Sequence, residues 1–199
     1  GMGTDNIDIV FNELDALFNL ELNTGKPLKS PTTLTFIRLG TSGTIQANIE
    51  LDSLIVAEAA IGFDSLMHYY EPSMCEHPIA ISLHSKLGMS KNLNHPYYID
   101  GDSVLVDDCL KLGMRKGIIV TNPGFYAPQG RHLRTKNILP YDLNEFLHFN
   151  YKDSIITNFD METSGIYGLS HVMGHRAVSI SAILANRFHG TFSKKADKT

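Results

Sequence analysis

Thiol chemistry is nearly absent from this chain: Cys75 and Cys109 are the two cysteines in 199 residues. They are too few and too far apart for a disulfide framework or a zinc knuckle, so two reduced and mostly buried thiols are expected. Nine histidines occur without an HExxH or paired spacing, which leaves no argument for a metal. No apolar run reaches membrane-spanning length, and no charged-then-apolar N-terminus marks a signal peptide. Positive charge is also in deficit. With 17 lysines and arginines against 21 acids the net charge is −4, which excludes a general attraction to nucleic acid or anionic lipid. Internal repeats are lacking, as is any linker rich in Pro, Gly or Ser. These absences predict a soluble, cytoplasmic protein with a single domain over residues 1–199, and 43% hydrophobic content can supply its core.

What is present reads as alternating strands and helices. Residues 5–18 place Ile9, Val10, Leu14, Leu17 and Phe18 on one helical face, with Thr4 or Asp5 as N-cap. The β-branched and aromatic run TTLTFIRL, 32–39, reads as a strand that stops at the glycine loop GTSG, 40–43. SLIVAEAA (53–60) and HPIAISL (77–83) are further strand candidates, as is GIIVTN (117–122). SVLVDDCLKLGM (103–114), LNEFLHF (143–149) and METSGIYGLSHVMG (161–174) read as helices, and HRAVSISAIL (175–184) as a final strand. The tail from residue 192 is polar and expected to fray. Such alternation predicts an α/β fold with a parallel or mixed sheet covered on both faces.

In sheets of this kind ligands gather at the carboxyl ends of strands. Three segments there carry unusual chemistry, and Asn186-Arg187 at the end of the last strand is a fourth. In RLGTSG, 38–43, small residues let backbone N–H groups and hydroxyls turn toward an anion held by Arg38 and Thr41. The same letters also suit a tight turn beside a surface arginine. No lysine follows the second glycine, so this is not a Walker loop. Gly1-Met2-Gly3 lacks the preceding strand and third glycine of a dinucleotide fingerprint.

FYAPQGR, 125–131, sets the amide of Gln129 and the fork of Arg131 two residues apart; in extended chain both would point one way, toward a flat polar ligand. A lone aromatic such as Phe125 is more often core than platform. In NFDMETSG, 158–165, Asp160 and Glu162 flank Met161. Acids at a helix start commonly complement its dipole, while an apolar side chain between acceptors also suits a sugar.

Taken in order, these segments resemble one family. FIRLGTSGTIQ, 36–46, resembles the phosphate-binding strand-loop of the nucleoside phosphorylase family, whose members include uridine phosphorylase. FYAPQGR resembles that family's base-recognition loop in its uridine-specific form, NFDMETSG resembles its ribose-binding segment, and residues 3–17 resemble its early helix. The resemblance implies a three-layer α/β/α fold with a mixed central sheet. It implies that Arg38 and Thr41 bind phosphate, that Met161, Glu162 and Thr41 contact ribose, and that Phe125, Gln129, Arg131 and Arg187 bind the base. Arg38, Thr41 and Glu162 would then carry the catalysis.

Phosphorolysis of uridine, or of a related pyrimidine nucleoside, to free base and ribose 1-phosphate is the implied reaction, with inorganic phosphate as co-substrate and no other cofactor or metal. A homo-oligomer, dimer or hexamer, is implied as well. Purine-specific relatives resemble a pattern with an aspartate where this chain reads Ala185-Asn186-Arg187, so a purine substrate is the weaker expectation. A nucleosidase using water is an alternative, and so is a nucleoside-binding protein without turnover. Family members also begin with a Gly-Asp loop and arginines that complete the phosphate site, and continue into a C-terminal helix. Neither is found here, so the chain is expected to be incomplete at both ends.

Overall fold

The computed structural model describes residues 2–89, 93, 95–136, 139, 144–151 and 153–195. Gly1, residue 143 and residues 196–199, which belong to segments discussed above, lie outside the described residues. Helix α1 (Thr4–Asn19) precedes a two-strand hairpin, β1 (Leu20–Glu21) and β2 (Lys26–Pro27). Strands β3 (Thr35–Thr44) and β4 (Leu54–Gly62) follow, then α2 (Met67–Tyr70), α3 (Pro78–Lys86) and β5 (Tyr97–Asp100). Next come α4 (Ser103–Lys111), β6 (Arg115–Thr121), α5 (Asn144–Leu147) and β7 (Asn150–Tyr151). The last elements are β8 (Ser154–Asp160), α6 (Thr163–Met173), β9 (Arg176–Asn186) and β10 (Thr191–Phe192).

Among the described residues, eight strands make one mixed sheet ordered β10-β9-β3-β8-β6-β4-β5, with β7 on β8. Strand β3 runs parallel to β9, and β6 parallel to both β4 and β8. Strands β3 and β8 pair antiparallel, as do β4 and β9, so five strands close on themselves. Closure has a local consequence. Gly43 pairs with Phe159 and Thr44 with Asn158, so the residues after Phe159 run back along β3 toward Arg38.

Helices cover the sheet on both faces. On one, Ile79 and Leu83 of α3 and Phe146 of α5 pack on Ile61, Ile118, Val120 and Ile156. On the other, Phe11 of α1, Met67 of α2 and Ile166 and Leu169 of α6 pack on Ala57, Ala60 and Ile119. A smaller cluster sets Val106 and Cys109 of α4 on Val56 and Val178. Burying some 150–250 Å² for each aromatic makes such clusters the main stabilising term.

Three sequence expectations are corrected. HPIAISL is helical, not a strand: Pro78 stands at the first turn, the His77 side chain accepts from Ile79 N, and Ile79, Ala80 and Leu83 form the buried stripe. GTSG is not a loop but the second half of β3, held to β9 along its length with a register shift between Ser42 and Gly43. Helix α1 forms where expected but with Gly3 as N-cap, and it turns a different face inward. Phe11 is 4% exposed and stacks on Phe36 at 4.1 Å, while Ile9, Val10, Leu17 and Phe18 stay exposed. Two apolar stripes run along this helix, and the one containing Thr4, Ile7 and Phe11 meets α6 and the sheet. No helix among the described residues is long and apolar enough to cross a membrane.

Candidate functional site

Arg38 lies mid-strand in β3, where the pleat puts Arg38, Gly40 and Ser42 on one face and Ile37, Leu39 and Thr41 on the other. The outward set is exposed. On the inward face the guanidinium folds back over Gly40: a Cβ there would sit 2.5 Å from Arg38 Nη1 and 2.6 Å from its central carbon. Glycine is therefore what allows the arginine head to lie flat against its own strand. Ser42 Oγ donates to Phe159 O at 2.7 Å and accepts from Asn158 Nδ2 at 2.9 Å, fixing β3 to β8 beside the irregularity.

Arg38 Nη2 donates to Glu162 Oε2 at 2.7 Å and lies 3.6 Å from Asp160 Oδ2, while Nη1 reaches Ser179 Oγ at 3.4 Å. Glu162 is the N-cap residue of α6, yet its side chain is turned away from its own helix. Its other oxygen, Oε1, accepts from Gly3 N at 3.1 Å, at the positive end of α1. Met161, half-buried, separates the two acids. Asp160 caps α6 through Thr163 N (3.0 Å) and the Thr163 hydroxyl, and accepts from Thr121 Oγ1 at 2.7 Å. Burial pushes its carboxyl above the ordinary range, opposed by the Arg38 charge and the two threonine hydroxyls.

The base-loop candidates converge by a different route from the one expected. Residues 125–131 are not extended: Ala127–Gln129 form a 3-10 turn that Gly130 closes at φ 71. That turn folds Arg131 back so that Nη1 donates to Phe125 O at 2.8 Å and to Gln129 Oε1. The Arg131 guanidinium covers the Phe125 ring at 4.0 Å from its centroid. Gln129 is 2% exposed, and its Nε2 reaches Asp160 O at 3.4 Å. Arg187, just past β9, donates from Nη2 to Gln129 O at 2.7 Å and covers Phe159 at 5.3 Å. Among the described residues its buried Nη1 has no hydrogen-bond partner, and neither has the side-chain Nδ2 of Asn122. Burial, helped by the neighbouring Arg131 charge, brings the Arg187 pKa down to about 10.

Two groups thus meet at Asp160: its carboxylate faces Arg38 and Glu162, and its carbonyl is reached by Gln129. Thr41 stands apart, on the exposed face of β3. The sequence offered Asp160 as a helix-start charge or a sugar acceptor and gave no sign of Thr121 and Ser179, whose contacts to Asp160 and Arg38 are made across strands. Chemically, the site offers one anchored guanidinium for an anion, two carboxylates beside it, and a pair of guanidiniums near a planar amide.

A cavity of about 290 Å³ lies at the far end of α6, lined by Ile99, Asp100, Asp102, Ser170, His171 and His175 among others. Asp102 is paired there with Arg176 at 2.7 and 2.9 Å, and Asp100 accepts from the Tyr98 hydroxyl at 2.7 Å. The arginine and carboxylate cluster, rather than this cavity, has the chemistry of a reaction site.

A mixed sheet between helical layers, with arginines and acids gathered where β3, β8 and the segment after β6 meet, defines an α/β protein whose polar cluster lies at strand ends, where ligands of such sheets gather. The chain belongs to the phosphorylase superfamily, whose family model matches residues 1–198. It is 30% identical over 166 residues to the uridine phosphorylase of Thermococcus kodakarensis, covering 82% of this chain and 53% of that protein. With the uridine phosphorylase of Haemophilus influenzae it shares 24% over 158 residues, 77% of this chain and 54% of the relative. The chain therefore spans about half the length of the curated relatives it matches. Among solved structures, a Trypanosoma brucei nucleoside phosphorylase that shows uridine phosphorylase activity superposes with a TM-score of 0.83 at 23% identity, covering 99% of this chain and 73% of that one. That likeness establishes the α/β fold with its mixed central sheet.

Proposed function

We propose that this protein is a pentosyltransferase of the uridine phosphorylase kind, which cleaves uridine or a related pyrimidine nucleoside with phosphate. In the reaction a phosphate oxygen bonds to the anomeric carbon, the carbon–nitrogen bond breaks, and its electron pair leaves with the base. Ribose 1-phosphate and a pyrimidine anion result, and the anion takes a proton from water. Positive charge grows on the sugar and negative charge on the base, so acceptors are needed near the first and donors near the second.

One observation carries the reading: Asp160 joins an Arg38–Glu162 pair to a loop in which Arg131, Gln129 and Arg187 converge. Arg38 would hold phosphate, with Thr41 assigned to the same ligand on resemblance alone. Met161 and Glu162 would take the ribose, and Phe125, Gln129, Arg131 and Arg187 the base. The closeness of the Arg131 and Arg187 charges supports this assignment, because negative charge growing on the base relieves their repulsion. No cofactor is required beyond phosphate itself.

The uridine phosphorylase names of the two sequence relatives support the substrate class. A place in nucleoside salvage, a cytoplasmic location and a homo-oligomer, dimer or hexamer, belong to the same reading, and the exposed apolar stripe of α1 supports assembly. The test is release of uracil from uridine by the full protein, followed by ultraviolet absorbance, with and without phosphate. Release only with phosphate is expected. Release without it would make the protein a nucleosidase, and binding without release would overturn the enzyme.

A further inference from the structure

Asp160 does more than cap a helix. Its carboxylate is the most enclosed of the three charges at the phosphate end, 2% exposed against 15% for the Arg38 side chain and 14% for Glu162. Each oxygen is held: Oδ1 by the hydroxyl of Thr121 on β6, Oδ2 by the backbone and hydroxyl of Thr163 on α6. The same threonine hydroxyl lies 2.8 Å from Ser179 Oγ on β9, and Ser179 Oγ accepts from Arg38 Nη1. Thr121 Oγ1 in turn accepts from Ser164 N at 3.0 Å, fastening the first turn of α6 to β6. A carboxylate hydrogen-bonded to two elements by groups with little rotational freedom cannot follow a ligand, whereas Glu162, at the edge, can.

The contrast matters for Arg38. In this structure its Nη2 has two acidic neighbours, Glu162 at 2.7 Å and Asp160 at 3.6 Å. If Glu162 turns to a sugar, the guanidinium loses its closest partner and keeps Asp160. We propose that Asp160 is a positioning residue of the site, holding Arg38 in place for phosphate while Glu162 exchanges Arg38 for the ribose hydroxyls. This rests on the uridine phosphorylase reading for its ligands, but the clamp on Arg38 is independent of it. Asp160 also presents its carbonyl to Asn122 N at 2.9 Å and to Gln129 Nε2, backbone contacts to the base loop that a side-chain change from acid to amide leaves in place.

The experiment uses the full protein and the variant Asp160→Asn, which keeps shape and removes charge. Nitrogen-15 spectra of the arginine side chains are recorded for both in a Glu162→Ala background, which removes the closest partner of Arg38, with the Arg38 signals identified by their loss in Arg38→Lys. Restricted, resolved Arg38 signals are expected with Asp160 intact and averaged ones with Asp160→Asn. In steady-state kinetics the phosphate KM should rise roughly 10-fold while the uridine KM stays within about twofold, a split that a merely structural defect would not produce. Arg38 signals and phosphate KM both unchanged in Asp160→Asn would overturn the proposal. Should that variant fail to fold, Thr163→Val removes one hydroxyl from the clamp, and unchanged Arg38 signals there would overturn it equally. If the wild type shows no phosphate-dependent cleavage while Asp160→Asn still frees Arg38, the enzymatic reading fails and the clamp stands.

Discussion

Arg38 and Glu162, 124 positions apart in the chain, meet through a 2.7 Å ion pair at the antiparallel junction of β3 and β8. Both side chains are largely shielded from water, so this pair is not the weak surface kind, and either partner left alone would strain the site.

Removing the guanidinium tests its role directly. In Arg38→Ala, phosphate-dependent turnover of uridine should fall by about 10²–10³-fold, as for loss of one oriented donor to reacting charge. Steady-state rates over a range of phosphate concentrations decide it; a variant with wild-type phosphate dependence would remove Arg38 from the phosphate site.

Gly40→Ala is the subtler probe. Its new methyl group would meet the Arg38 head first, 2.5 Å from Nη1, so the flexible side chain yields rather than the backbone. The melting temperature should change little, while the phosphate KM rises roughly 10-fold. An unfolded variant, or one with unchanged KM, contradicts this account.

At the base loop, Arg131→Ala releases Gln129 Oε1 and uncovers the Phe125 ring. Because the loop turn itself is closed by backbone bonds from Gln129, Gly130 and Arg131, the fold should survive. The value of kcat/KM for uridine should drop by about 10²-fold, the worth of a charged hydrogen bond, with the circular dichroism spectrum retained. Unimpaired uridine turnover would remove Arg131 from base recognition.

Acid stability should report on Asp102, whose pKa is brought down to about 2 by its hydrogen bonds to Arg176, with burial opposing. A carboxyl with a lower pKa folded than unfolded stabilises the native state above its unfolded value, near 3.9, and loses that contribution as pH falls toward 2. Asp102→Asn keeps a residue able to cap α4 and discards the ion pair. The melting temperatures of wild type and variant should therefore differ above about pH 4 and draw together by pH 2; a constant difference would place the effect elsewhere.

Much of this molecule was legible in its letters. Period and residue type located α1, β3, β4, α4, β6, α6 and β9, because each has either a helical stripe or a β-branched run long enough to show its repeat. HPIAISL misled because its apolar density suits a strand and a buried helix alike, and only the place of Pro78 and the cover it gives to Ile61 and Ile118 decide for helix. The short β5 has too few residues for any period to be visible. For the site, the sequence by itself determined which chemistry was available: arginine and glycine on one strand face, two acids around a methionine, an amide and a guanidinium in one turn. Tertiary structure alone decided who meets whom. It brought Arg38 to Glu162, hid Asp160 among Thr121, Thr163 and Arg38, and placed Thr41 on the opposite face. The physical reason is that side-chain direction along a strand follows a local rule, whereas pairing between distant strands depends on register and closure, which no local pattern encodes.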